Sequence, residues 1–107
     1  MSWAADDFVQ PVGQLNPAWF PNADLTVSVQ AWLDDAESKT DDTNAQQAWV
    51  YYRAFQSLAD DFHQGVATAR EGEITGTRSE QQFKYWSRRA DRELARYRGA
   101  IGTQVVF

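Results

Sequence analysis

The chain has 107 residues, a hydrophobic fraction of 43%, 14% aromatic residues and a net charge of −5. This is enough apolar material for one core and excludes wholesale disorder, while the acidity argues against a general nucleic-acid binder. Cysteine is absent, which rules out a disulfide framework and thiolate chemistry; no stretch reads as a membrane span or secretion signal, so a soluble, unexported chain is expected.

Residues 1–22 carry Trp3, Phe8, Val9, Leu15, Trp19 and Phe20, interrupted by Pro11, Gly13, Pro17 and Pro21. Ser2 can cap a short helix to about Val9, with Asp6 near its first turn, but the prolines prevent any long element beyond it. The expectation is a mostly extended arm that either wraps its own domain or lies on a neighbour. Asp24 or Asn22 then caps a helix to about Ser38, with Leu25, Val29, Trp32, Leu33 and Ala36 on one side. Leu25 to Val29 also alternates like a strand, although the length of the segment favours helix. Lys39 to Thr43 is a polar turn short enough to make the first two helices antiparallel neighbours.

The central helix is expected from Thr43, capped by a reciprocal Thr43–Gln46 box, to about His63. Ala48, Tyr52, Phe55, Ala59 and Phe62 form its apolar stripe, widened by Trp49, Tyr51 and Leu58, so it is buried on more than one side. Gly65 offers the left-handed backbone that ends helices. Residues 64–78 are punctuated by Gly65, Gly72 and Gly76 and hold several β-prone residues, with Glu71-Gly72 where a hairpin would reverse. A protruding loop is expected there, with Val66, Glu71, Gly72, Ile74 and Gly76 as candidate contacts between subunits. Ser79 and Gln82 repeat the capping-box logic before Phe83, Trp86, Ala90, Leu94 and Tyr97, and Gly99 closes this third helix. Residues 99–107 form a short β-prone tail whose apolar residues Ile101, Val105, Val106 and Phe107 need burial on this domain or on another chain. The whole is a single all-α domain: arm 1–22, helices 1 and 2 in 23–63, loop 64–78, helix 3 in 79–98 and tail 99–107.

Catalysis finds little support. The acidic pairs Asp6-Asp7, Asp34-Asp35, Asp41-Asp42 and Asp60-Asp61 are adjacent, so in a helix the members of a pair diverge by about 100° and cannot converge on one atom. They read as solvated faces. His63 is the only histidine, and with Asp60 it supplies two potential metal ligands where a stable site wants three or four. No phosphate loop, serine elbow or dinucleotide fingerprint is present. No catalytic residue, metal or cofactor is assigned, and the chain is expected not to be an enzyme. Lys84-Tyr85-Trp86-Ser87-Arg88-Arg89 is basic and aromatic, but Trp86 belongs to the apolar stripe and the acidic half would repel a polyanion. A solvated face, or a surface meeting an acidic protein, fits better.

Charge is unevenly spread. Residues 1–62 hold ten Asp or Glu against Lys39 and Arg53, net −8; residues 63–107 hold five against eight basic residues, net +3. An acidic half and a basic half permit head-to-tail association, which closes into a ring if the rotation allows. Helical proteins also segregate charge with no such purpose.

Three stretches together carry a resemblance: Ala48-Trp49-Val50-Tyr51-Tyr52-Arg53-Ala54-Phe55, then Glu71-Gly72-Glu73-Ile74-Thr75-Gly76, then Ser79-Glu80-Gln81-Gln82-Phe83-Lys84-Tyr85-Trp86. Over roughly residues 24–98 the chain resembles the head–tail connector (adaptor, head-completion) proteins of tailed bacteriophages. That resemblance implies a small helical bundle with an extended loop, present as a ring of copies below the portal protein. The ring extends the DNA channel and receives the next neck or tail component. It places the chain in the virion neck, and in the host cytoplasm during assembly, with no membrane partner. It further implies that Ile101 to Phe107 dock on the portal; the N-terminal arm has no matching counterpart. Asp34, Asp35, Asp41 and Asp42 are candidates to line the channel and let double-stranded DNA slide without specific binding. The alternative from another class is a stand-alone helical interaction module, such as a small bacterial regulator or antitoxin-like partner.

Overall fold

A computed structural model describes the backbone of residues 3–21, 23–69 and 73–105, and the side chains of 3–21, 23–61 and 81–101. Three α-helices account for most of them: α1 (Leu25–Lys39), α2 (Thr43–Ala69) and α3 (Glu73–Val105). No strand occurs among the described residues. The all-α bundle expected from periodicity is what forms.

Asp24 starts α1, its carboxylate accepting from the amides of Thr26 and Val27. Two amides otherwise lacking helical partners are thereby satisfied. Leu25, Val29, Leu33 and Ala36 are buried along one face, settling the strand-like opening in favour of helix. The helix α2 begins one residue differently from the Thr43 box. Asp42 is the capping side chain, accepting from the Ala45 amide at 2.9 Å, while Gln46 Nε2 reaches back to the Thr40 carbonyl at 2.8 Å. A charged oxygen three residues before that amide outcompetes the neighbouring hydroxyl, and it also favours the helix dipole.

Being central, α2 is buried on two sides. Ala45, Ala48, Val50, Tyr51, Ala54, Phe55, Leu58 and Ala59 are all in the core. Its antiparallel partner α3 contributes buried Trp86, Ala90 and Tyr97. The register follows from two ring contacts: Phe55 stacks on Trp86 at 5.7 Å, and Trp49 meets Tyr97 edge-on at 5.0 Å.

Glycine proves a weaker stop signal than the sequence suggests. The backbone continues helical through Gly65, through Gly76 and through Gly99, so 64–69 and 73–78 belong to α2 and α3 rather than to an extended loop. Val66, Ile74 and Gly76 lie on helical backbone, whereas Glu71 and Gly72, the expected reversal, fall outside the described residues. The helix α3 starts at Glu73, not Ser79, and runs to Val105, so Ile101 and Val105 are helical and the tail is not extended through them; Val106 and Phe107 fall outside the described residues. The physical reason is cooperativity. Adding one glycine to a helix already nucleated costs about 1 kcal/mol, less than abandoning the turns beyond it.

The arm is also not extended. Short 3₁₀ turns at Ala5–Phe8 and Pro17–Trp19 and an isolated bridge between Val9 and Leu15 fold it onto the bundle. Phe8, Leu15 and Phe20 are buried, Trp3 Nε1 donates to the Thr43 carbonyl at 2.7 Å, and the Gln14 amide donates to the Tyr51 hydroxyl at 3.3 Å. Of the two expectations, wrapping on its own domain is the one observed.

Candidate protein-interaction surface

Two chemically opposite faces remain once the core is filled. The first lies between α1 and α2. Leu25, Val29, Leu33 and Ala36 turn inward, which leaves Trp32 at the margin, half-buried. On α2, Trp49 and Tyr52 are likewise half-buried, 5.2 Å apart, and Asp60 and Asp61 stand exposed two turns further on. Together they border a hollow of about 460 Å³. It adjoins a second of about 540 Å³ reaching Trp19, Phe20 and Leu58, and Trp32, Ser57 and Asp61 belong to both.

Polar contacts set this groove. Trp49 Nε1 donates to Asp35 Oδ2 at 2.8 Å, tying α2 to α1, and Arg53 Nη1 stands 4.0 Å from the same oxygen. Lys39 lies 5.0 Å above the Trp49 ring. Asp60 accepts from Gln56 at 3.1 Å, and Asp61 has no hydrogen bond or ion pair among the described residues. The groove therefore offers indole and phenol faces beside an unneutralised carboxylate, which suits a cationic group.

The second face is the outer side of α3. Trp86 and Ala90 face α2, so Arg88 and Arg92 lie about 200° round the helix, both exposed. Neither has a hydrogen bond, ion pair or ring contact among the described residues. Arg96, one turn beyond Arg92, differs: its Nη2 lies 3.0 Å from Glu93 Oε2. That oxygen has no partner in hydrogen-bonding orientation, so the contact is an ion pair without a directed bond. Burial raises the Glu93 pKa above the ordinary carboxyl value, opposed by Arg96 and Arg89, and burial likewise raises that of Tyr51. Arg89 is turned inward. It sits 4.3 Å over Phe55 and donates to Gln14 Oε1 at 3.2 Å, fastening the arm to α3.

The four acids proposed as channel-facing divide into two kinds. Asp35 holds Trp49 and Asp42 caps α2, so both serve the fold. Asp34 and Asp41 are exposed, Asp34 accepting only from Gln30 at 2.8 Å. Among the C-terminal candidates Ile101 is half-buried, and the side chain of Val105 lies outside the described set. Sequence reasoning missed the groove itself, treating Asp60-Asp61 as a solvated face and Trp32 as core. Its one signal was an excess of aromatic residues over what a small core can hide. Among the described residues no cluster of three potential metal ligands forms, and no helix is long and apolar enough to cross a membrane. No protein-family model, curated protein or solved structure matches this chain.

Proposed function

We propose that this chain is a structural virion protein, a head–tail connector that forms a ring of copies below the portal, extends the DNA channel and joins the head to the next neck or tail component. The observation that carries the reading is the separation of free charge onto two sides of one small bundle, exposed acids with aromatic rings on α1 and α2 and free arginines on the outside of α3. Surfaces of opposite character on different sides of one protomer suit repeated head-to-tail contact rather than a two-fold dimer. The three stretches that resemble connector proteins add to this. In this reading the end of α3 and the residues after it, from Ile101 to Phe107, dock on the portal. Asp34 and Asp41 face the channel, where like charge keeps DNA from sticking.

Mixing the purified chain with portal rings encoded by the same phage or prophage tests it. Co-sedimentation, with a ring of added density beneath the portal in electron micrographs, is expected; failure to bind overturns the connector role. Replacing Asp34 and Asp41 with lysine is expected to impede DNA packaging or ejection, and unchanged passage removes the channel assignment. A stand-alone interaction module is favoured by one observation, that the arm spends Phe8, Leu15 and Phe20 on its own core. It predicts a monomer that ignores portal rings.

A further inference from the structure

We propose that the groove between α1 and α2 receives Arg88 and Arg92 from α3 of a second copy, each guanidinium entering one of the two adjoining hollows. The inference rests on the connector reading in taking the occupant to be another copy, and it assigns the surfaces that meet.

Charge complementarity selects the occupant. The groove presents Asp60 and Asp61, while of the described cations beside it Arg53 stands close to Asp35 and Lys39 lies over the Trp49 ring. Arg88 and Arg92 are exposed arginines one helical turn apart, separated by about 6 Å along the axis, that have no hydrogen bond, ion pair or ring contact among the described residues. The hollows are correspondingly adjacent, with Trp32, Ser57 and Asp61 between them. Half-buried Trp32, Trp49 and Tyr52 supply flat faces on which a guanidinium stacks while its N–H groups reach the carboxylates. The same chain already uses that geometry internally, with Arg89 over Phe55 and Lys39 over Trp49.

Among the described residues none of α3 borders either hollow, and Arg88 and Arg92 point away from α2, so these two arginines do not reach the groove of their own protomer. Groove and arginines lie on different sides of the bundle, which suits a heterologous contact in which each copy gives its arginines to one neighbour and its groove to another. Lysine in place of arginine would retain charge but lose the planar fork that stacks and bonds at once.

Reciprocal charge reversal tests the assignment. One variant carries Arg88→Glu with Arg92→Glu, the other Asp60→Lys with Asp61→Lys; all four positions are exposed, so circular dichroism is expected to match the wild type. Sedimentation velocity over a concentration series is expected to show salt-sensitive self-association of the wild type. Each variant alone should be weakened by about tenfold or more, because like charges then meet. An equimolar mixture of the two variants restores association, since Glu arginine-site residues then meet the lysine groove and native arginines meet the native groove. Should a reversed variant fail to fold, Arg88→Gln with Arg92→Gln serves instead and is expected to weaken association in the same direction. Variants that associate like the wild type, or a mixture without restoration, overturn the contact. A wild type that stays monomeric throughout also overturns it, and binding of that monomer to portal rings would leave the connector reading standing.

Discussion

Two sets of aromatic side chains in this small domain have the same chemistry and different fates. The inner set, Phe8, Tyr51, Phe55 and Trp86, forms a continuous series of ring contacts: Phe8 meets Tyr51 edge-on at 5.3 Å, Tyr51 stacks with Phe55 at 6.0 Å and Phe55 with Trp86 at 5.7 Å. Arm, α2 and α3 each contribute to it, so every ring is covered by another element. The groove set, Trp32, Trp49 and Tyr52, has helix on one side and an open hollow on the other. The difference is one of position: Trp49 and Tyr52 lie at the edge of the α1–α2 contact, Trp49 beside Asp35 and Lys39 of α1, and Trp32 lies at the margin of α1, so these rings stay half-exposed.

The sharpest way to break the comparison is to truncate one ring from each set. Phe55→Ala removes a ring 1% exposed at the centre and is expected to cost about 3–5 kcal/mol in urea unfolding. Trp32→Ala should cost clearly less and chiefly lower self-association; equal losses would mean that the groove rings are core. Next comes the hold on the arm. A Cβ at Gly13 would lie 2.1 Å from the carbonyl carbon of Phe8, so Gly13→Ala must displace the arm backbone, at about 1–3 kcal/mol, and deprotect the amides of Gln10 and Leu15 in hydrogen exchange. Unchanged protection there would show the arm to be loosely seated.

Trp49→Phe keeps a ring against Tyr97 but deletes the donor to Asp35, for an expected loss of about 1 kcal/mol. Gly99→Ala runs the other way. A Cβ there meets nothing within 4 Å and the position is helical, so a gain of about 0.5–1 kcal/mol is expected in urea unfolding. The smallest effect is pH-dependent. Because burial raises the folded pKa of Glu93 above its unfolded value, protonation binds the folded state more tightly. Its favourable contribution is complete below the ordinary glutamate range and is lost as pH rises through the raised value. Glu93→Gln should remove that dependence, so wild type gains on the variant as pH falls from neutral, measured by urea midpoints across the series. A constant difference between the two would show that Glu93 is not desolvated in the folded chain.

The legible parts are those decided by neighbours in sequence. Asp24 as a cap, the stripe Leu25, Val29, Leu33 and Ala36, and the positions of Trp86, Ala90 and Tyr97 all follow from helical spacing. Val50 and Ala54 complete the second buried face of α2, whose existence was legible although these members were not singled out. The glycine breaks were misleading because local propensity is a small energy set against a growing helix. The cap on α2 was displaced by one residue because two adjacent polar side chains compete for the same amides. The candidate contact surface was the least legible, since Trp32 and Asp61 are 29 positions apart and become neighbours only when α1 folds back on α2.

Sequence alone thus determined three amphipathic helices, an acidic first half and a basic third helix, since periodicity and charge are properties of the chain itself. Tertiary structure decided that the arm packs inward, which aromatic rings stay half-exposed, and that Arg89 and Arg96 are engaged while Arg88 and Arg92 remain free. Those outcomes depend on which surfaces cover which, and coverage is a relation between distant segments that no local pattern encodes.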